Sequence, residues 1–285
     1  MGGGLNRLGM LLSRTMTTSD IVHPPEHRGA PAALGCWSAA WLAGLCSPDD
    51  LLDSVAAWGS ARLVPADAQV AQLYGIAADD DLAALLPILR NAESITSLLP
   101  TPGAPRGLPP ARPVTTAALQ AGEVLLVGAH NNERYAVVPH LRNHVEIEFQ
   151  LHTVDFTAPP ITTGLGESEY QLRQAVRDAA QRLSVIGSMG GTIEDPRARL
   201  TELQQQAARL RPPPGSDERA MRVLDEAARI DAILQLTAES AAGFGVTAGH
   251  HADGDETLRD LGAVVREARM TAVNTIIGRF LAQRG

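Results

Sequence analysis

Between residues 32 and 46 the apolar side chains Leu34, Trp37, Trp41 and Leu45 recur every three or four positions, the spacing of one helical face. The same predicted helix carries Cys36 and Cys46, the two cysteines of the chain. Ser47-Pro48-Asp49-Asp50 follows, an N-cap, a proline at the first helical position and acids in the first turn, so Leu51 to Trp58 reads as a second helix of a hairpin. Asp79 to Asp81 open a third helix through Asn91, bent or shortened by Pro87. Residues 100 to 113 hold six prolines and two glycines and predict a stiff, extended connection. Beyond a helical turn over Thr115 to Ala121 come three strands, EVLLVGA (123–129), RYAVVPH (134–140) and VEIEFQLHTV (145–154). The last alternates strictly. Val145, Ile147, Phe149 and Leu151 point one way, while Glu146, Glu148, Gln150 and His152 point the other, as a half-solvated antiparallel sheet requires. The hairpin-sized connections at 130–133 and 141–143 predict a three-stranded meander.

From Gly166 onward the apolar period changes to 3.6. Leu172, Val176, Leu183 and Ile186 form one stripe, followed by a Gly-rich break, GSMGGT, at 187–192. Further helices are predicted over Pro196–Leu210, from Ser216-Asp217-Glu218 to Ala242, and over Glu256–Gln283. The last carries Leu258, Leu261, Val265, Ala268, Ala272, Ile276 and Phe280 on one face. The fold class is therefore α+β: mostly helical, with a small antiparallel sheet in the N-terminal half and long antiparallel helices in the C-terminal half. The expected divisions are a disordered or extended lead-in at 1–31, a helical-hairpin and sheet domain at 32–160, and a helical domain at 161–285.

Composition narrows the chemistry. The chain has 285 residues, 45% hydrophobic and 20% charged, which excludes wholesale disorder. No run of 18 or more apolar residues predicts a membrane span, and Met1 to Arg14 lacks the continuous apolar core of a signal peptide. All 24 cationic side chains are arginine, which removes Schiff-base lysines and the phosphate lysine of P-loop proteins. A net charge of −8 argues against nucleic acid as partner. Ten residues of helix place Cys36 and Cys46 about 15 Å apart, so two reduced thiols and a cytoplasmic setting are expected.

The clearest chemical constellation is His130, His140, His144 and His152 with Glu146 and Glu148 beside them. Imidazoles and carboxylates are ligands for divalent transition metals, and His140, His144, His152 and Glu146 are the candidate metal set. Neighbouring side chains on one strand face stand about 6.5 to 7 Å apart, so a metal requires convergence from adjacent strands; a solvent-facing polar sheet explains the same residues without one. GHHADGDE at 249–256 is explained by helix capping. GSMGGT matches neither GxGxxG nor the P-loop pattern, and Ile186 replaces the first glycine of GxSxG in IGSMG. No catalytic or cofactor-binding residue is assigned.

The segments LGCWSAAWLAGLCSPDDLLDSV, PGAPRGLPP and AGEVLLVG, the Glu167-initiated helix, and the later LDEAARIDAILQL and LRDLGAVVREAR together resemble an uncharacterised actinobacterial protein family. The resemblance covers most of residues 32 to 271. It implies a bacterial cytoplasmic setting and carries over no site residue. The expected function is a non-enzymatic interaction or regulatory role, through amphipathic helix faces that meet an unknown protein partner or a second copy in a homodimer. The alternative is a metal-dependent hydrolase built on the 130–152 histidines.

Overall fold

The computed structural model describes residues 27–77, 80–105, 107–143, 146–155, 163–186, 195–242 and 251–284. The chain begins with α1 (Ala30–Leu42) and α2 (Pro48–Ala56), then β1 (Ser60–Pro65), α3 (Ala68–Tyr74), a 3-10 turn (Leu82–Leu85) running into α4 (Leu86–Arg90), and β2 (Ala92–Leu98). After α5 (Arg112–Ala121) come β3 (Val124–Ala129), β4 (Arg134–Asn143) and β5 (Glu146–Thr153). Helices α6 (Leu165–Ile186), α7 (Pro196–Ala207), α8 (Glu218–Ala242) and α9 (His251–Leu281) complete the described chain. It is a mostly helical α+β fold, with the sheet in the N-terminal half and the long helices in the C-terminal half.

The three expected strands form the antiparallel centre of a larger sheet, ordered β1-β5-β4-β3-β2. Two strands were not foreseen. β2 pairs antiparallel with β3, and β1 pairs parallel with β5, so the sheet is mixed. Neither strand announces itself: SARLVP fully buries only Leu63, and AESITSL has no two-residue alternation. The alternation of β5 is realised from Glu146 to Leu151, with Ile147, Phe149 and Leu151 fully buried and Glu146, Glu148 and Gln150 half-buried opposite, and breaks at His152, which is buried where a solvated side chain was expected. Strand β4 runs on through Leu141 and Arg142, where a turn was expected.

The helical reading needs other local corrections. The predicted cysteine-bearing helix ends at Leu42, and Cys46 falls in the connection to α2. The expected helix over 79–91 is a 3-10 turn capped by Asp81, followed by the short α4. In contrast, the Ser47 cap is present as a full capping box. Asp50 N–H donates to Ser47 Oγ at 3.1 Å and Ser47 N–H donates to Asp50 Oδ2 at 2.8 Å.

One face of the sheet packs Leu63, Leu125, Val137, Ile147 and Phe149 into the main apolar core with α1 and α9. On the other face, Val114 and Ala118 of α5 meet Leu98, Leu126, Ala136 and Val138. Helix α9 is the element both halves share: α6 and α8 flank it, and it also packs on α1 and β2. The predicted stripe from Leu261 to Phe280 is buried as expected. Towards its C-terminal end Thr271, Val273, Asn274 and Ile277 are buried as well, so this stretch is enclosed on all but the narrow face of Thr275, Gly278 and Arg279.

That enclosure solves an edge problem. β2 is a terminal strand, and the outward N–H and C=O of Ser97 have no strand to pair with. Asn274 takes the place of that strand: its Oδ1 accepts from Ser97 N–H and its Nδ2 donates to Ser97 O, both at 2.8 Å. Further along, Arg284 donates to Ala92 O at 2.6 Å and to Arg90 O at 3.2 Å. Replacing Asn274 with Leu keeps the volume and strands both backbone groups, so unfolding free energy is expected to drop by about 2 to 4 kcal/mol in urea denaturation. A drop under about 0.5 kcal/mol would show that the edge is satisfied without the amide.

Candidate functional site

The predicted metal set is dispersed by the strand register. His140 on β4 is exposed and lies opposite Glu148. His152 lies opposite Ala136, four residues further along β5, and is nearly buried. His144 lies outside the described residues. The carboxylates are taken up by arginines from the neighbouring strands: Arg62 Nε reaches Glu146 Oε1 at 2.5 Å, and Arg142 Nη1 reaches Glu148 Oε1 at 3.1 Å. Among the described residues, no three His, Cys, Asp or Glu side chains are grouped to hold a metal ion. Burial pushes the His152 imidazole below its ordinary range despite the nearby Asp67 carboxylate, so the neutral ring is favoured.

The fold also builds two polar clusters that no sequence motif signals. At the α3 end of the sheet, Tyr74 and Tyr135 both donate their hydroxyls to Glu133 Oε2, and the two phenol oxygens are 2.8 Å apart. The Tyr135 hydroxyl, with the further bonds from Asn131 and Tyr74, holds Glu133 below the usual carboxylate range against its partial burial. Burial and the adjacent carboxylate push Tyr135 upward. Here the carboxylate stays ionised and the phenols stay protonated, an arrangement that fixes the β3–β4 turn to α3. Cys36 is equally unreactive, its thiol pushed up to about 12 by complete burial.

The second cluster sits where the two halves join. Gly29 is the N-cap of α1 and has no side chain to cap with, and its own N–H is met by Glu123. Gly29 N–H points between the two Glu123 oxygens, at 3.0 and 2.8 Å. Glu123 is only 3% exposed, and its charge at this helix N-terminus complements the helix dipole. Arg269 of α9 approaches Glu123 at 3.9 Å and Asp231 of α8 at 3.5 Å, while Arg28 reaches Asp231 at 2.5 Å. Gln235 donates to Asp231 at 2.8 Å, and Trp58 Nε1 donates to Arg28 O at 3.2 Å. Burial alone would raise the Asp231 carboxyl, but Arg28 and Arg269 together hold it below its ordinary value. His27 closes the cluster through Nε2, 3.1 Å from Ala121 O at the end of α5. His27 and Ala121 lie 94 positions apart along the chain and Arg28 and Asp231 lie 203 apart, beyond the reach of any local pattern.

The two halves joined here correspond to separate family models. A model of the N-terminal domain of Rv1486c-like proteins matches residues 31–164, and one of the C-terminal domain matches residues 166–270. The chain belongs to the Rv1486c-like protein family. Its relatives include Rv1486c of Mycobacterium tuberculosis, 34% identical over 284 residues that span 86% of this chain and 96% of that protein. ML1804 of Mycobacterium leprae is 33% identical and MAV321 of Mycobacterium avium 30% identical, each across 86% of this chain and 96% of its own length. No solved structure matches the chain. The actinobacterial family expected from the sequence is thus the right one. In this Rv1486c-like chain the boundary between the matched domains falls between β5 and α6, and the Arg28, Glu123, Asp231 and Arg269 side chains bind across it.

Truncating Arg269 to Met would remove the cation that stands 3.9 Å from Glu123 and 3.5 Å from Asp231 in a buried site. Unfolding free energy is expected to fall by about 3 kcal/mol, as when one member of a buried ion pair is removed. Urea denaturation checks this, and a loss below about 1 kcal/mol would mean that water already solvates the cluster.

Proposed function

We propose that this chain is a non-enzymatic, cytoplasmic interaction or regulatory protein whose helix faces bind a protein partner or a second copy of itself. The observation that carries this reading is Ile233. It lies in the middle of the 25-residue α8, and its side chain is 52% exposed. Tyr170 of α6 and Met221 of α8 are further large apolar side chains on helix surfaces, at 62% and 37% exposure. Single exposed apolar residues are ordinary, but a β-branched residue halfway along a helix that packs on both α7 and α9 is well placed to anchor a partner. The polar side chains gathered by the sheet and the domain joint support the same reading, because they are engaged with one another. Among the described residues, no helix is long and apolar enough to cross a membrane, which suits a partner met in solution.

The test is capture of partners by the full-length chain from its own host, alongside light scattering of the purified protein. Burying one isoleucine contributes roughly 1.5 to 3 kcal/mol, so Ile233→Glu should weaken capture or self-association about tenfold or more while leaving the melting temperature within about 2 °C. A strictly monomeric protein that captures nothing would count against this reading. Stoichiometric bound metal that is lost in a His144→Ala, His152→Ala variant would favour the hydrolase instead.

A further inference from the structure

The joint between the sheet and the long helices contains one titratable group whose hydrogen bonding is half complete. His27 is 4% exposed, and its Nε2 lies against the Ala121 carbonyl, which can only accept, so Nε2 carries the ring proton. Nδ1 is then the lone-pair nitrogen, buried and without a hydrogen-bond partner among the described residues. The charges around it already cancel: Arg28 and Arg269 on one side, Glu123 and Asp231 on the other.

We propose that His27 makes this joint a proton-operated latch, closed while the ring is neutral and released when Nδ1 takes a proton from solvent. The groups facing the ring come from three elements: Glu123 ahead of β3, Arg28 on its own segment, and His140 of β4. Behind Arg28 and Glu123 stand Asp231 and Gln235 of α8 and Arg269 of α9. Among the described residues Glu123 is the one carboxylate that acts on the ring, and both of its oxygens already receive Gly29 N–H, with Arg269 beside them. An imidazolium would add a positive charge to a balanced, buried cluster, and it could pair with Glu123 only by drawing that carboxylate away from the α1 cap. Arg28 and His140 oppose the proton further.

Burial is the largest influence on His27 and holds it below its ordinary value of 6.5, against the opposing pull of the Ala121 carbonyl and Glu123. The open joint therefore binds more protons than the closed one. Stability of the closed form is complete above about pH 6.5 and is lost as pH falls from there towards the depressed value of the closed state. Up to tenfold is lost per pH unit, the limit for one proton.

Hydrogen exchange on the full chain, corrected for intrinsic rates, tests the latch. Between pH 7.5 and 5.5, protection at Gly29 and across Ala227–Gln235 should fall by about threefold to tenfold in the wild type. In His27→Gln, whose amide still reaches Ala121 O, it should stay flat. An equal loss in the variant, or no loss in the wild type, would overturn the latch. If the variant does not fold, an NMR titration of the wild-type His27 ring decides: a midpoint well below 6.5 supports the latch, and one at or above 6.5 overturns it.

Discussion

A buried guanidinium holds the two halves of this protein together. Arg269 projects from α9 to within 3.9 Å of Glu123 and 3.5 Å of Asp231, with its side chain only 11% exposed. A charge so enclosed is tolerable only when counter-charges are close and fixed. Here Glu123 is fixed by the Gly29 N–H and Asp231 by Arg28 and Gln235. The partners come from four separate stretches of chain, residues 28–29, 123, 231–235 and 269, so the whole cluster is complete only once all four have come together. The α1 cap, the start of β3 and the pairing of α8 with α9 are set by one condition.

The same helix that carries Arg269 also finishes the sheet. After the ion cluster α9 continues past Gly35, where a Cβ would lie 2.7 Å from Leu125 Cδ1 and 3.0 Å from Ile277 Cδ1, so a side chain at that position would push the Leu125 side chain out of its place between α1 and the sheet. It then reaches β2, where Asn274 answers the open backbone groups of Ser97. The C-terminal helix is therefore structural for the N-terminal sheet. A fragment ending after β5 would expose both the apolar face that α9 covers and an unpaired strand edge, the combination that drives sheets to associate.

Legibility in the sequence followed the range of the interactions. The Ser47 N-cap lies within four residues of the groups it serves, and most of the β5 alternation is a property of one segment, so both were readable in advance. The long helices announced themselves by period. β1 and β2 did not, because their pairing partners lie far along the chain and their own residues are mixed in character. The histidine-rich stretch looked chemical because spacing along a strand is visible while register between strands is not. Register sets His140 against Glu148 and His152 against Ala136, and Arg62 and Arg142, nowhere suggested by the motif, occupy the glutamates. The joint around Glu123 was invisible for the same reason, its partners being 94 or more positions distant.

The absence of lysine takes on structural meaning here. The fold uses what only a guanidinium supplies. Arg284 bridges the carbonyls of Ala92 and Arg90 through Nη1 and Nη2 of one planar fork. Arg199 grips both oxygens of Glu239 at 2.8 and 2.7 Å and ties α7 to α8. An ammonium has no such fork and is more strongly hydrated, so it would meet fewer of these acceptors and lose more on burial. Whatever made arginine the cation of this chain, the domain joint, the sheet edge and the α7–α8 pair are now built to its geometry, and lysine at these positions would not be a conservative replacement.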